Sequence, residues 1–283
     1  RAIYMDWNAT APVHPAARQA MVEALEDCGN PSSVHGFGRR GRRRVEAARI
    51  ALARLVGAKV EDIVFTSGGT EANALVLANR GERRLIVAAI EHDSVLKPAL
   101  AAGAAVIHVD RNGVVDLDHL RSLLDADARP ALVSVMLANN ETGVVQPVAE
   151  AAAIAHAHGA LLHCDAAQAI GRVPVELHVL GADYLTVSGH KLGAPQGVGA
   201  AVFRSGLQVA PLLQGGGQER NRRAGTENVP AIAGFGAAIG ALESSDQVAA
   251  LRDRLEQRLL AGDASITVFG RETARLPNTS CLA

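Results

Sequence analysis

The chain has 283 residues, 48% hydrophobic and 20% charged, and its 28 basic and 29 acidic side chains leave a formal net charge of −1. That balance provides no long-range field to gather nucleic acid or an anionic membrane surface. The three cysteines, Cys28, Cys164 and Cys281, are too few and too widely spaced for a disulfide framework or a zinc signature. No apolar run is long enough to span a bilayer and the first residues carry no signal-peptide pattern, so a cytoplasmic, reducing compartment is expected. Aromatic residues make up only 3%, so small aliphatic side chains must fill the interior.

Taken in chain order, the first regular pattern is a helix over 41–56, rich in Arg, Ala and Leu. It overlaps the basic cluster Arg39, Arg40, Arg42, Arg43 and Arg44, which reads either as a solvated helix face or as a docking patch for an acidic partner. Short apolar runs then predict strands over 62–66, 85–89, 105–109, 131–137, 161–165, 184–188 and 198–203. Most are apolar throughout, as strands covered on both faces are. Helical patterns fill the gaps at 71–80, 93–102, 116–125 and 148–158. Such alternation predicts an α/β domain with a mainly parallel central sheet, helices on both faces and right-handed crossovers. After about residue 206 the texture changes. A Gly/Arg-rich loop over 214–226 precedes an Ala-rich helix, a polar amphipathic helix over 246–260 and a short strand over 266–269. This tail reads as the start of a second, smaller α+β domain.

In open α/β sheets ligands sit beyond the carboxyl ends of the strands, and polar residues cluster there. Thr66-Ser67-Gly68-Gly69-Thr70-Glu71 runs from a strand through two glycines into a helix. Helix N-terminal N–H groups and a close backbone approach suit an anion; a plain N-cap turn is the alternative. His92 follows the second strand, where an imidazole is placed to stack on a flat ring or simply to face solvent. Asn139-Asn140-Glu141-Thr142-Gly143 follows the fourth, with amides able to donate hydrogen bonds or to form an ordinary turn. Asp165 closes a buried strand and needs a partner, which a protonated aromatic nitrogen or a helix N-terminus would provide. Strand alternation turns Cys164 the other way, into the core. Ser188-Gly189-His190-Lys191 ends the sixth strand. Lysine is the side chain that forms a Schiff base with an aldehyde, and only Lys59 and Lys97 compete with Lys191.

Together these motifs resemble the class V aminotransferase-like pyridoxal 5′-phosphate (PLP) enzymes, and within them the cysteine desulfurases. Tyr4–Thr10, 29–35, Glu91-His92 and Arg223-Ala224-Gly225-Thr226 complete the pattern, in order, from about residue 3 to the end. The Asn-Asn-Glu-x-Gly and Arg-Ala-Gly-Thr-Glu-Asn segments are similar to the NifS/IscS-like branch, which serves iron–sulfur and nitrogenase assembly. The resemblance implies fold type I, with a large PLP-binding domain over 12–245 and a partial small domain from 1–11 and 246–283. It implies Lys191 as the Schiff-base lysine and proton carrier, and Asp165 on the pyridine nitrogen. His92 would stack on the ring and assist proton transfer, and Gln168 and Asn140 would contact the ring oxygen or nearby substrate. Gly69, Thr70, Ser188 and His190 would hold the phosphate. Thr226 would reach the phosphate of a neighbouring subunit, which implies a homodimer.

The implied reaction converts L-cysteine to L-alanine and leaves an enzyme persulfide for a sulfur-acceptor or iron–sulfur scaffold protein. No metal, nucleic acid or membrane is implied. In the family the nucleophilic cysteine and the arginine for the substrate carboxylate lie past the segment that Leu276–Ser280 resembles. The expectation is therefore that both lie beyond Ala283, that 1–283 alone lacks sulfur transfer, and that Cys281 is not the nucleophile. Gly193-Ala194-Pro195-Gln196 departs from the family's Tyr-Gly-Pro-Lys, and Trp7 and Ala11 are variants of the N-terminal motif. The alternatives are another class V activity (aminotransferase or selenocysteine lyase-like) and a truncated, non-catalytic PLP-fold fragment.

Overall fold

The computed structural model describes residues 2–283. Its elements in chain order are α1 (Pro15–Glu26), α2 (Gly36–Val56), β1 (Ile63–Thr66), α3 (Gly69–Ala78), β2 (Arg84–Ala88), α4 (Asp93–Ala101), β3 (Ala105–Ile107), α5 (Leu117–Asp125), β4 (Ala131–Ser134), α6 (Val148–Ala157), β5 (Leu161–Asp165), β6 (Tyr184–Ser188), β7 (Gly199–Phe203), α7 (Gln218–Asn221), α8 (Val229–Gly240) and α9 (Asp246–Gly262). The strands predicted between 62 and 203 all form. The strand expected over 266–269 does not: a lone bridge, Val268 to Leu282, stands there. Backbone hydrogen bonds link Thr267 with Ala283 and run from the Phe269 N–H to the Cys281 carbonyl on either side of that bridge. Helix α1 had no clear periodic signal. Its start is set by Pro15 in the first turn and by the His14 ring, which accepts from the Ala16 N–H.

The chain divides into two compact units. The first comprises the residues up to Gly81, Glu176–Val179 and Asp183–Leu242. Here β6, β7 and β1 form antiparallel pairs, the minority direction in a sheet expected to be mainly parallel. Helix α8 packs on α1 and α2, and small residues set the spacing. A Cβ at Gly236 would lie 2.7 Å from the Ala48 Cα, so the α2–α8 crossing requires glycine there. Four of the eight Phe, Tyr and Trp rings pack in this core: Phe65 meets Phe235 edge-on at 6.2 Å, and Tyr184 meets Phe203 at 5.8 Å. The basic cluster at the start of α2 is largely occupied. Arg40 and Arg44 pair with Asp27, while Arg39 and Arg42 donate to the Val34 and Pro31 carbonyls. This is the solvated, paired face, tying α2 to the α1–α2 connection.

The second unit comprises Glu82–Val175, Leu180–Ala182 and Glu243–Ala283. Its strands β5, β4, β2 and β3 are all parallel, joined through helices as βαβ connections require. They are apolar and fully buried for most of their length, as the continuous apolar runs predict. Outside this sheet, Arg275 and Glu256 form a bidentate pair with both side chains 5% exposed, anchoring α9 to the final segment. Among the described residues no helix is long and apolar enough to cross a membrane.

Candidate active site

In the first unit the functional residues assemble around β7. The strand register places Thr66 of β1 and Ser188 of β6 on either side of Gly199. A Cβ on Gly199 would lie 2.5 Å from the Gly68 carbonyl carbon, so only glycine lets the turn after β1 fold across the strand. The turn then brings Gly69, the first residue of α3, against Ser188: a Cβ at Gly69 would stand 3.2 Å from the Ser188 Cβ. No side chain caps this end of α3. Beside Ser188 the sequence therefore builds a bare helix N-terminus, with Thr70 on its first turn, and such an end attracts anions.

The turn is braced from behind. The Glu71 carboxylate accepts from the Ser67 N–H at 2.8 Å and from Arg223 at 2.8 and 3.2 Å. Burial works to raise the Glu71 pKa, but Arg223 and Ser67 outweigh it and hold the carboxyl below its usual range. A second brace runs from α7. Glu219 is 6% exposed and takes Arg49 bidentately at 2.8 Å, together with the Phe65 N–H at 2.8 Å. Arg49 loses charge stability to burial, yet the Glu219 pair raises its pKa overall. Glu219, Arg220 and Asn221 all have positive φ, a costly run for non-glycine residues that this buried pair holds in place. Thr226 follows, lining a cavity of about 210 Å³ with Ser67, Val198, Glu219, Arg223 and Glu227.

Lys191 closes the short turn Gly189–Lys191 after β6. Its ammonium donates to the Asn8 and Ala9 carbonyls of the N-terminal segment. The same segment meets His190, whose ring lies 3.2 Å from the Thr10 hydroxyl and whose carbonyl accepts from the Ala11 N–H at 2.8 Å. Burial, aided by the Lys191 charge, lowers the His190 pKa, so the imidazole is neutral at pH 7. The role of the Asn8–Ala11 backbone beside the lysine was not legible in the motif.

In the second unit, His92, Asn140, Asp165 and Gln168 all lie beyond the carboxyl ends of parallel strands β2, β4 and β5. His92 caps α4: its Nδ1 accepts from the Ser94 N–H at 3.1 Å. That bond places the proton of the neutral ring on Nε2. The turn after β4 is organised by Asn139, whose Oδ1 accepts from the Glu141 and Thr142 N–H groups at 3.0 Å each. Asn140 stands half-exposed beside it and donates to Glu141. Asp165 ends β5, and its Oδ1 accepts from the Ala167 N–H at 2.9 Å, which starts the turn carrying Gln168. Cys164 points the other way, fully buried, and burial first, then the Asp165 and Glu91 charges, push its thiol well above the ordinary range.

Two groups behind Asp165 escaped the sequence reading. Glu91 is 5% exposed, and its carboxyl is buried close to Asp165, with the Met136 backbone and the Ser134 hydroxyl as its weak polar neighbours. Burial, with the Asp165 charge added, pushes its pKa up to about 8, so it is a neutral acid at pH 7. His163 is fully buried 2.9 Å from the Ser134 hydroxyl, and burial lowers its pKa to about 4. Glu91 precedes His92 in the motif, but a lone acid after an apolar strand looks like the first solvated residue. Only its burial in the folded chain reveals that it turns inward.

The class-V aminotransferase family model matches residues 3–281. A cysteine desulfurase of Cereibacter sphaeroides is 45% identical over 99% of this chain and 76% of its own length. The NifS cysteine desulfurase of Azotobacter vinelandii is 42% identical over 99% of this chain and 74% of its own. Among solved structures, a NifS-like protein from Rickettsia africae superposes with a TM-score of 0.95 at 37% identity, covering all of this chain and 81% of that one. The apo cysteine desulfurase of Thermococcus onnurineus gives 0.87 at 28% identity, covering 97% and 77%. The chain belongs to the class-V aminotransferase family, in its cysteine desulfurase branch.

Proposed function

We propose that this protein is a PLP-dependent cysteine desulfurase that takes sulfur from L-cysteine and releases L-alanine. The observation that carries the reading is the arrangement around Gly199. An uncapped helix N-terminus, with no side chain at Gly69, faces Ser188, and Lys191 follows three residues later. This fits a phosphate dianion beside a Schiff-base lysine. A carboxylate at the end of a buried strand, Asp165, suits a protonated pyridine nitrogen.

When bound, PLP supplies an electron sink that makes the substrate Cα proton acidic. Gly69, Thr70, Ser188 and His190 hold the phosphate, with Thr226 serving the neighbouring subunit of a homodimer. Asp165 would pair with the ring nitrogen and hold its proton there, and the neutral Glu91 close to it adds no competing anion. Gln168 and Asn140 donate toward the ring oxygen and substrate. Lys191 carries the proton at the substrate Cα. His92 would stack on the ring and could offer its Nε2 proton, since Nδ1 accepts from the Ser94 N–H. The sulfur would pass to an attacking cysteine thiolate, expected beyond Ala283: the S–S bond forms as the C–S bond breaks, leaving a persulfide, and a proton returned to the carbon gives alanine. Cys164 is unsuited to that attack because it is buried and its thiol is held protonated. In domain terms, 12–245 bind PLP and 1–11 with 246–283 belong to a smaller domain. The three free thiols are in keeping with a cytoplasmic site of action and a sulfur-acceptor protein as partner.

The test is a product screen on the protein extended to include the expected cysteine loop: alanine released from L-cysteine, with sulfide freed from the persulfide by an added thiol reductant, against keto acid formed by amino-group transfer. Alanine without keto acid supports the proposal; keto acid as the main product makes the protein an aminotransferase instead.

A further inference from the structure

The turn after β5 holds a cation that the proposed chemistry does not use. Arg172 lies four residues after Gln168, and the bonds from Ala169 and Ile170 N–H to the Ala166 carbonyl give the intervening segment a helix-like turn. Residues four apart then share one face. The Arg172 Nη1 donates both to the Gln168 carbonyl, at 3.2 Å, and to the Gln168 side-chain Oε1. Gln168 itself is 4% exposed.

An amide is ambiguous by shape, but a guanidinium is not, because it has donors only. Whatever holds the Gln168 side chain beside Arg172 must present oxygen to it. The NH₂ end is thereby turned the other way, as a donor. Burial lowers the Arg172 pKa to about 10, so it remains a cation at pH 7 and never offers an acceptor. We propose that Arg172 is a positioning residue that fixes the orientation of the Gln168 amide, so that its NH₂, and not its oxygen, is presented to the oxygen of the cofactor ring. The inference deepens the reading of this protein as a PLP enzyme and rests on it.

The consequence is a preset donor. A hydrogen bond to an ionised ring oxygen favours the ionised form, so Gln168 held in this orientation lowers the pH at which lysine-bound PLP changes protonation. Without Arg172 the amide samples both orientations, and the repulsive one places oxygen against oxygen.

The experiment is a pH titration of the visible absorbance band of the PLP-loaded protein, with PLP affinity measured alongside. Wild type is compared with Gln168→Ala, Arg172→Met, Arg172→Lys and the double variant. Gln168→Ala is expected to raise the midpoint by about one pH unit, tenfold in the proton equilibrium. Arg172→Met should reproduce at least half of that shift, and the double variant should match Gln168→Ala alone. Arg172→Lys, which also only donates, should restore the wild-type midpoint. If Gln168→Ala shifts the midpoint and Arg172→Met leaves it in place, the proposal is overturned, even if Arg172→Met melts at a lower temperature. An Arg172→Met protein that fails to fold leaves Arg172→Lys to decide, since a midpoint displaced as far as in Gln168→Ala contradicts the donor-only argument. Absence of any visible band in wild type would defeat the PLP reading itself, a separate result from an unmoved midpoint.

Discussion

Replacing Arg49 by Met should be among the most damaging single changes outside the cofactor residues. The Glu219 carboxylate is 2% exposed, and Arg49 supplies two of its hydrogen bonds at 2.8 Å. Arg49→Met leaves that carboxylate with the Phe65 N–H alone and also removes the donor to the Ile63 carbonyl. Breaking a buried pair from one side costs about 3–5 kcal/mol, because the remaining charge keeps its desolvation penalty. The loss should be read as a shift of the urea midpoint at unchanged slope. Adding Glu219→Gln to Arg49→Met removes the stranded charge and should recover at least about 1 kcal/mol. The consequence extends to the cofactor. Glu219 anchors the strained α7 turn to β1, which leads directly into Ser67–Thr70, so Arg49→Met should also weaken PLP binding. A loss below about 1 kcal/mol, or a further loss when Glu219→Gln is added, would refute the idea that the pair holds α7 against its backbone strain.

Other outcomes follow from the second unit. Glu91, with its pKa raised to about 8, keeps a proton in the folded state that the unfolded chain releases near its ordinary value of 4.5. Native protein therefore binds more protons across that window, and stability from this group falls as pH rises from about 4.5 to about 8. Glu91→Gln should match wild type below the window and exceed it at pH 9, by on the order of 5 kcal/mol at full ionisation; equal stability curves would contradict the buried-acid account. Asp165→Asn should retain PLP but lose roughly a hundredfold in turnover, since it removes the charge opposite the ring nitrogen; near-normal alanine release would count against that role. Cys164→Ala should keep its turnover and lose about 1–2 kcal/mol of stability, and native Cys164 should resist alkylation. Rapid labelling of Cys164 in folded protein would contradict its burial.

Much of this was legible in the sequence because backbone demands and chemistry coincide at the strand ends. Continuous apolar runs marked β1 to β7, and where a polar residue closed a run it marked the site edge, as at Thr66, Asp165 and Ser188. What the runs did not carry was pairing direction. The antiparallel β1–β7–β6 arrangement depends on which neighbours are chosen, and apolar strands of either kind look alike. Partners distant in sequence were hidden for the same reason. Arg49 and Glu219 are 170 residues apart, and neither has a local motif. Helix α1 was missed because its cap is a histidine, outside the usual Ser/Thr/Asp/Asn signal. The short strand over 266–269 had the right residues, and it pairs through a single bridge, Val268 to Leu282.

The central claim is that Lys191 carries PLP, and borohydride trapping tests it directly. The PLP-loaded protein is reduced, digested and analysed by peptide mass spectrometry, beside Lys191→Ala treated in the same way. A pyridoxyl label on Lys191, lost in the variant, is the predicted result. A label on Lys59 or Lys97 instead, or a protein that binds PLP without labelling any lysine, would contradict it.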